Sequence, residues 1–270
     1  MNVVGGVAHR GDLGFASYTV EASRRALASS LLSYAGVRDP YSGRTWGGVV
    51  SNGVRLNLSR DSGGDHGAWA LAGAYRLTGR HVQDNDKGEL MGGFYRRLVN
   101  EEDRVATAGV TGIYWRFGEN AGEYTFGHGG YYSPSTYRSI SLPVTYAARG
   151  ARTSYFLRAA VSASWSTSHA APFFPTDPQM QAAAEALAPV TFVDPHYAGG
   201  DNGRSYGRSF AGAVEHQVAP GVFAGARAEI ERSTNYTPNR FLLYVRFTLG
   251  RAAARPVTMP PESGLPGGVP

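Results

Sequence analysis

The sequence predicts an all-β fold: an antiparallel up-and-down β-barrel that crosses a membrane with its strands. Three observations predict it. Apolar and polar residues alternate with a period of two over runs of about 10–14 residues, the pattern of strands with one apolar face. Such runs exceed the ~5–6 residues usual in globular sheets and suit the ~9–11 that a tilted strand needs to cross hydrocarbon. The connections between runs alternate short and long, as they do where short turns close one rim of a membrane barrel and long loops the other. A soluble sandwich also alternates along its strands, but has no reason to alternate its loop lengths. No stretch approaches the ~18 uncharged apolar residues of a membrane helix.

The elements follow in order. Two or three strands are expected before residue 35. In residues 46–59, Val50, Val54, Leu56 and Leu58 oppose Ser51, Arg55, Asn57 and Ser59. Residues 67–77 form the next strand; 88–98 and 104–116 are ambiguous, and 137–146 and 205–218 alternate less cleanly. In residues 153–166, Tyr155, Leu157, Ala159, Val161 and Trp165 oppose Ser154, Phe156, Arg158, Ser162 and Ser164. In residues 221–233 the alanines and Ile230 oppose Arg227, Glu229 and Glu231, and in 240–249 Phe241, Leu243, Val245, Phe247 and Leu249 oppose Arg240, Tyr244, Arg246 and Thr248. The total is roughly eleven or twelve strands. Turns are expected at 60–66, 99–102, 149–152 and 218–220, and long loops at 35–45, 78–87, 117–134, 167–204 and 233–239. One helix is expected at 179–187, with Asp177 as its cap and Pro178 in its first turn. The domain division is a barrel over 1–249, partial at its N-terminus, and a Pro/Gly-rich tail over 250–270. Trp46 and Tyr236 are placed in an interfacial aromatic girdle.

Composition narrows the function. Of the 270 residues 42% are hydrophobic and 17% charged, and the chain has no cysteine, which excludes disulfides, thiol nucleophiles and cysteine metal sites. The net charge of +5 is nearly all arginine, with Lys87 the sole lysine. These charges are spread along the chain, without the basic, aromatic-studded face of a nucleic-acid binder. An exported protein needs a signal peptide, and MNVVGGVAHR has no basic segment followed by an apolar one. The expectation is a fragment of a longer precursor, or a true start other than Met1.

The segments SLLSYAGVRDPYSGRTWGGV (30–49), FGHGGYYSPSTY (126–137), SLPVTY (141–146) and NYTPNRFLLYVRFTL (235–249) resemble the C-terminal barrel domain of the outer-membrane exit pore of bacterial cellulose synthase. The resemblance spans residues 3–249. It implies an outer-membrane barrel of about sixteen strands, preceded by periplasmic helical repeats, that passes a glucan made by the synthase complex at the inner membrane. This chain lacks those repeats and is short of the first barrel strands. No cofactor is implied; the partners are the glucan, outer-membrane lipid, the helical-repeat region and the synthase complex, with no nucleic acid.

A moving glucan needs polar partners for its hydroxyls and aromatic faces for its C–H surfaces, each binding weakly. Candidates on the polar faces are Arg55, Arg158, Glu215, Arg227, Glu229, Glu231, Tyr244 and Arg246; the alternative is that these charges pair and brace the wall. The loop Gly127, His128, Gly129, Gly130, Tyr131, Tyr132 and Pro134 is a candidate gate, with its tyrosines offered to sugar and its glycines supplying positive φ. Its alternative role is a flap that stabilises the barrel. His128 has no second ligand at metal spacing and no neighbouring nucleophile. Glu229 and Glu231 are consecutive on one face and cannot flank a glycosidic bond, and no serine sits in a nucleophile elbow. The expected function is therefore non-enzymatic export of an exopolysaccharide, with a general solute porin or a truncated, non-functional remnant as the alternatives. Aromatic rings stepped along the lumen would favour the polymer.

Overall fold

A computed structural model describes residues 3–233 and 237–248. Its elements are β1 (Gly5–Asp12), β2 (Ser17–Ala26), α1 (Leu31–Ala35), β3 (Val37–Arg38), β4 (Thr45–Asp61), β5 (His66–Arg80), β6 (Asn85–Asn100) and β7 (Arg104–Phe117). They continue with β8 (Thr136–Arg149), β9 (Thr153–Ser168), β10 (Ala171–Pro172), α2 (Pro178–Thr191), β11 (His196–Tyr197), β12 (Gly200–Ala219), β13 (Val222–Arg232) and β14 (Asn239–Phe247). The long strands pair strictly with their sequence neighbours in the order β1-β2-β4-β5-β6-β7-β8-β9-β12-β13-β14, and every pair is antiparallel. This is the up-and-down sheet of a transmembrane barrel. Among the described residues β1 and β14 are its two edges.

The registers put the alternation of each strand in phase with that of the next. Val20, Leu56, Ala72, Leu90, Tyr114, Arg138, Trp165 and Arg204 form one cross-strand row. Its neighbour contains Leu58, Ala70, Gly92, Gly112, Ile140, Ala163 and Tyr206. These rows belong to the apolar face, where Leu90, Ile140, Leu142, Val161, Phe210 and Leu243 stand exposed, as hydrocarbon requires. The opposite face carries rows such as Glu21, Arg55, Gly73, Glu89, Trp115 and Tyr137 and is the polar, lumen-type face.

Pro143 stands inside β8 and cannot donate a ladder hydrogen bond. Accordingly the β7–β8 pairing passes from Ala108–Val144 to Thr111–Ser141 with nothing paired between, while the β8–β9 side continues through Pro143–Ala160.

Three sequence expectations change. The long loop expected at 78–87 is shorter: β5 runs on to Arg80 by pairing with β4, β6 opens at Asn85, and residues 78–84 lie between the last paired residues of the β5–β6 ladder, Leu77 and Asn85. Arg76 ties that turn to Asp84 and Asp86, at 3.1 and 2.8 Å. Trp46 is buried in the loop core, not in a girdle. The helix α2 extends past the expected 179–187: Asp177 caps it by accepting from the Met180 amide at 3.0 Å, and Phe192 in a left-handed conformation ends it. The expected tail, Tyr236 and Leu249 lie outside the described residues.

The packed core does not fill the sheet. It lies at the loop end of the inner face, where Leu32, Trp46, Val49, Leu77, Phe117 and Phe126 gather with Val82, Ala121 and Tyr131.

Candidate conduit face and plugged mouth

At the loop end of the inner face packs the loop between β7 and β8. Asn85, at the start of β6, grips it in three places. Its amide donates to the Glu119 carbonyl at 2.9 Å and to the Tyr131 hydroxyl at 3.1 Å, and its side-chain oxygen accepts from the Glu119 amide at 2.9 Å. The loop then ties itself together: the Ala121 carbonyl accepts from both the Gly129 and Gly130 amides at 3.0 Å, and the Ala121 amide donates to Ser133 Oγ at 2.8 Å. Gly127 and Gly130 have φ of 105° and 64°, which only glycine adopts readily. Gly129 does not; its hydrogen leaves space that a Cβ would take from the Tyr131 ring.

His128 is fully buried. Its Nε2 lies 2.9 Å from the Pro172 carbonyl, its ring meets Tyr197 edge-on at 5.4 Å, and its own carbonyl accepts from Trp46 Nε1 at 3.2 Å. Burial lowers its pKa below the ordinary histidine value. The loop between β9 and β12 packs on top through Phe174 and Met180. Arg44 anchors that layer, pairing with Asp177 and lying 4.3 Å from the Phe126 ring centre. Burial also pushes the Tyr131 hydroxyl up to about 12. Of the predicted gate residues, then, Gly127, His128, Gly129, Gly130, Tyr131 and Pro134 are interior packing. Tyr132 is the ring left in the open, at 57% exposure.

The predicted lumen residues all fall on the polar face, and most are paired. Arg55 bridges to Glu21 at 2.8 Å, and Arg227 to Glu229 at 2.6 Å, with Arg240 on the other Glu229 oxygen at 3.4 Å. Glu215, fully buried, takes a two-pronged contact from Arg246 at 2.5 and 3.1 Å. Tyr244 lies across Gly225, in space no other residue type would leave. Arg158 and Glu231 are exposed, and neither has an ion pair among the described residues. The structure therefore brings Arg227 to Glu229 and Glu215 to Arg246 but leaves Arg55 and Arg158 apart from them.

Beyond Tyr132 and Tyr244, sequence reasoning passed over the aromatic residues of this face. Tyr132 meets Tyr137 edge-on at 6.3 Å, and Tyr137 stacks on Trp115 at 4.9 Å. Lys87 Nζ sits 5.1 Å from the Trp115 ring and 5.2 Å from the Tyr75 ring, and Tyr75 donates to Glu89 at 2.5 Å. Deeper, Tyr95 and Trp69 lie flat over Gly67 and Gly93, an aromatic ring covering a glycine gap across strands. The rings thus step from the loop end of β8 and β7 toward the turn end of β5 and β6. The signal was present but weak, because β7 carries Ile113 and Trp115 inward and Tyr114 and Arg116 outward, which blurs its alternation.

Fold and face together define a class: a membrane-barrel wall with an apolar outside, a polar and aromatic inside, and an interlocked layer of loops at the loop end. Residues 1–250 match the family described as Cellulose synthase operon protein C C-terminus, and the chain belongs to that family. It is 39% identical to Cellulose synthase operon protein C of Xanthomonas axonopodis pv. citri (strain 306), over 94% of this chain and 17% of that protein. It is 35% identical to the Escherichia coli (strain K12) protein of the same name, over 92% and 21%. The chain thus spans about a fifth of the length of these curated relatives. Among solved structures it is similar to a bacterial polysaccharide outer membrane secretin, with TM-score 0.53 and 12% identity over 90% of this chain and 67% of that one. At that identity the likeness speaks for the fold.

Proposed function

We propose that this domain forms the wall and mouth of an outer-membrane conduit through which a glucan, cellulose or a modified cellulose, leaves the cell without catalysis. The observation that carries the reading is the stepped series of rings on the inner face, Tyr132, Tyr137, Trp115, Tyr75, Tyr95 and Trp69. A diffusion porin needs charges at a constriction; a sliding polymer needs repeated flat contacts, none tight enough to hold it. The neighbouring Lys87, Glu89, Glu21 and Arg55 offer hydrogen-bond partners that replace water around sugar hydroxyls. Family membership supports the same substrate class. It also supports partnership with periplasmic helical repeats and a synthase complex.

The test is complementation of a strain lacking the exporter with the complete protein carrying Trp115→Ala and Tyr137→Ala. Secreted glucan should fall several-fold while the barrel still assembles in the outer membrane. Undiminished secretion, with unchanged leakage of small solutes, would remove the rings from the mechanism.

A further inference from the structure

We infer that the outer face from β4 to β13 is a binding site for a phosphorylated lipid of the outer leaflet, with an acyl groove across β4 to β8 and an arginine headgroup rim on β7, β8, β12 and β13. The inference rests on the outer-membrane reading just proposed, with the long loops at the outer rim as in such barrels, and not on export. Arg116, Arg138, Arg204, Arg208 and Arg232 all belong to the apolar face, and all but Arg208 sit near the loop ends of their strands. Arg208 and Arg232 are direct cross-strand partners, a like-charge pairing that costs stability unless an anion bridges it. None of the five pairs with a carboxylate among the described residues. Instead Arg204 lies 5.3 Å from the Trp165 ring and donates to the Tyr206 hydroxyl at 3.1 Å. Arg138 lies 6.0 Å from Tyr114, and Arg232 donates to Asn239 at 2.8 Å. Guanidinium groups propped on rings at the edge of a hydrocarbon-facing band suit phosphate at headgroup level.

Beside Arg138 the same face is grooved. An open groove of about 580 Å³ runs across β4 to β8, with Leu56, Ala72, Leu90, Gly92 and Gly112 among its lining, and it ends at Arg138. Consecutive small residues make it, since Ala70, Gly92 and Gly112 are neighbours in one cross-strand row. Four strand spacings give it a length of about 19 Å, and its oblique course suits an acyl chain in a leaflet about 15 Å deep. A Cβ at Gly112 would meet no atom within 4 Å, so the space is unclaimed by the protein.

The test is native mass spectrometry of the delipidated complete protein with three probes: bisphosphorylated lipid A, its dephosphorylated form, and sodium pyrophosphate. The parent should retain the bisphosphorylated lipid at least about tenfold more than the dephosphorylated one. Arg138→Gln with Arg204→Gln and Arg208→Gln should abolish that preference, and Arg60→Gln with Arg96→Gln, at the turn end of the same face, should keep it. Gly112→Leu, which fills open space, should weaken both lipids, and it tests the site even if the triple variant fails to fold. Equal retention in the triple variant, equal loss in the turn-end control, or pyrophosphate competing as well as lipid would each overturn the site. Glucan secretion by the Gly112→Leu strain should be unchanged, which separates this inference from the export reading.

Discussion

The inner wall shows at single residues how buried charge is managed. Glu215 is fully buried and Arg246 spans both of its oxygens. Removing one partner of such a pair strands the other, a loss of about 3–5 kcal/mol, whereas replacing both with apolar groups is often neutral. Arg246→Met should therefore lower barrel stability by about 3 kcal/mol in urea titrations in lipid, and adding Glu215→Leu should restore most of it. If the single and double changes cost the same, the pair is not a unit. His128 gives a pH prediction. Burial holds its folded pKa below the ordinary value of about 6.5, so the released loop takes up the proton first. The stability it contributes is complete above about pH 6.5 and is lost as pH falls below that value. Hydrogen exchange at the Gly129 and Gly130 amides, corrected for intrinsic rates, should show protection falling between about pH 7 and 5. His128→Gln should flatten that profile; an unchanged profile assigns the dependence elsewhere. These pairings were half legible in the sequence. Arg227 and Glu229, two apart on one strand, announce themselves, whereas Glu215 and Arg246 meet only through the registers of β12, β13 and β14.

At the scale of elements, strands declare themselves wherever one face is consistently apolar, as in β9 and β14. They blur in β7, where both faces carry large apolar residues and glycines interrupt the period. The loop expected at 78–87 came out shorter because Asn85 and Asp86, polar residues that read as loop, begin β6 and pair with Leu77 and Arg76. The loop from Gly127 to Pro134 was legible as a special segment from its glycines and tyrosines. Its direction was not, since the burial of Tyr131 depends on Asn85, 46 positions away. That packing sharpens the gate hypothesis, because a plug must be displaced before anything passes. Removing residues 127–133 from the complete protein should raise single-channel conductance while heat-resistant, folded barrel persists. Conductance equal to the parent's would leave the loop a structural flap.

Over the whole molecule, one sheet keeps its two faces in phase across all its long strands. One face suits hydrocarbon, and the other suits a hydrated polymer. The position of the plug follows from the even count of strands between connections, which places every long loop at the same rim. What the sequence could not show was the alignment of rings, because Trp69, Tyr75, Tyr95, Trp115 and Tyr137 come from four strands and meet only through register. The central claim, that this inner face carries a sliding glucan, is tested most directly by current recordings on the complete protein in planar bilayers with the plug loop deleted. Soluble cello-oligosaccharides added to the bath should block the current transiently, with dwell times that lengthen as sugar units are added and shorten in the Trp115→Ala, Tyr137→Ala variant. Blockades absent, or equal in length for cellobiose and cellohexaose and indifferent to those two rings, would contradict it.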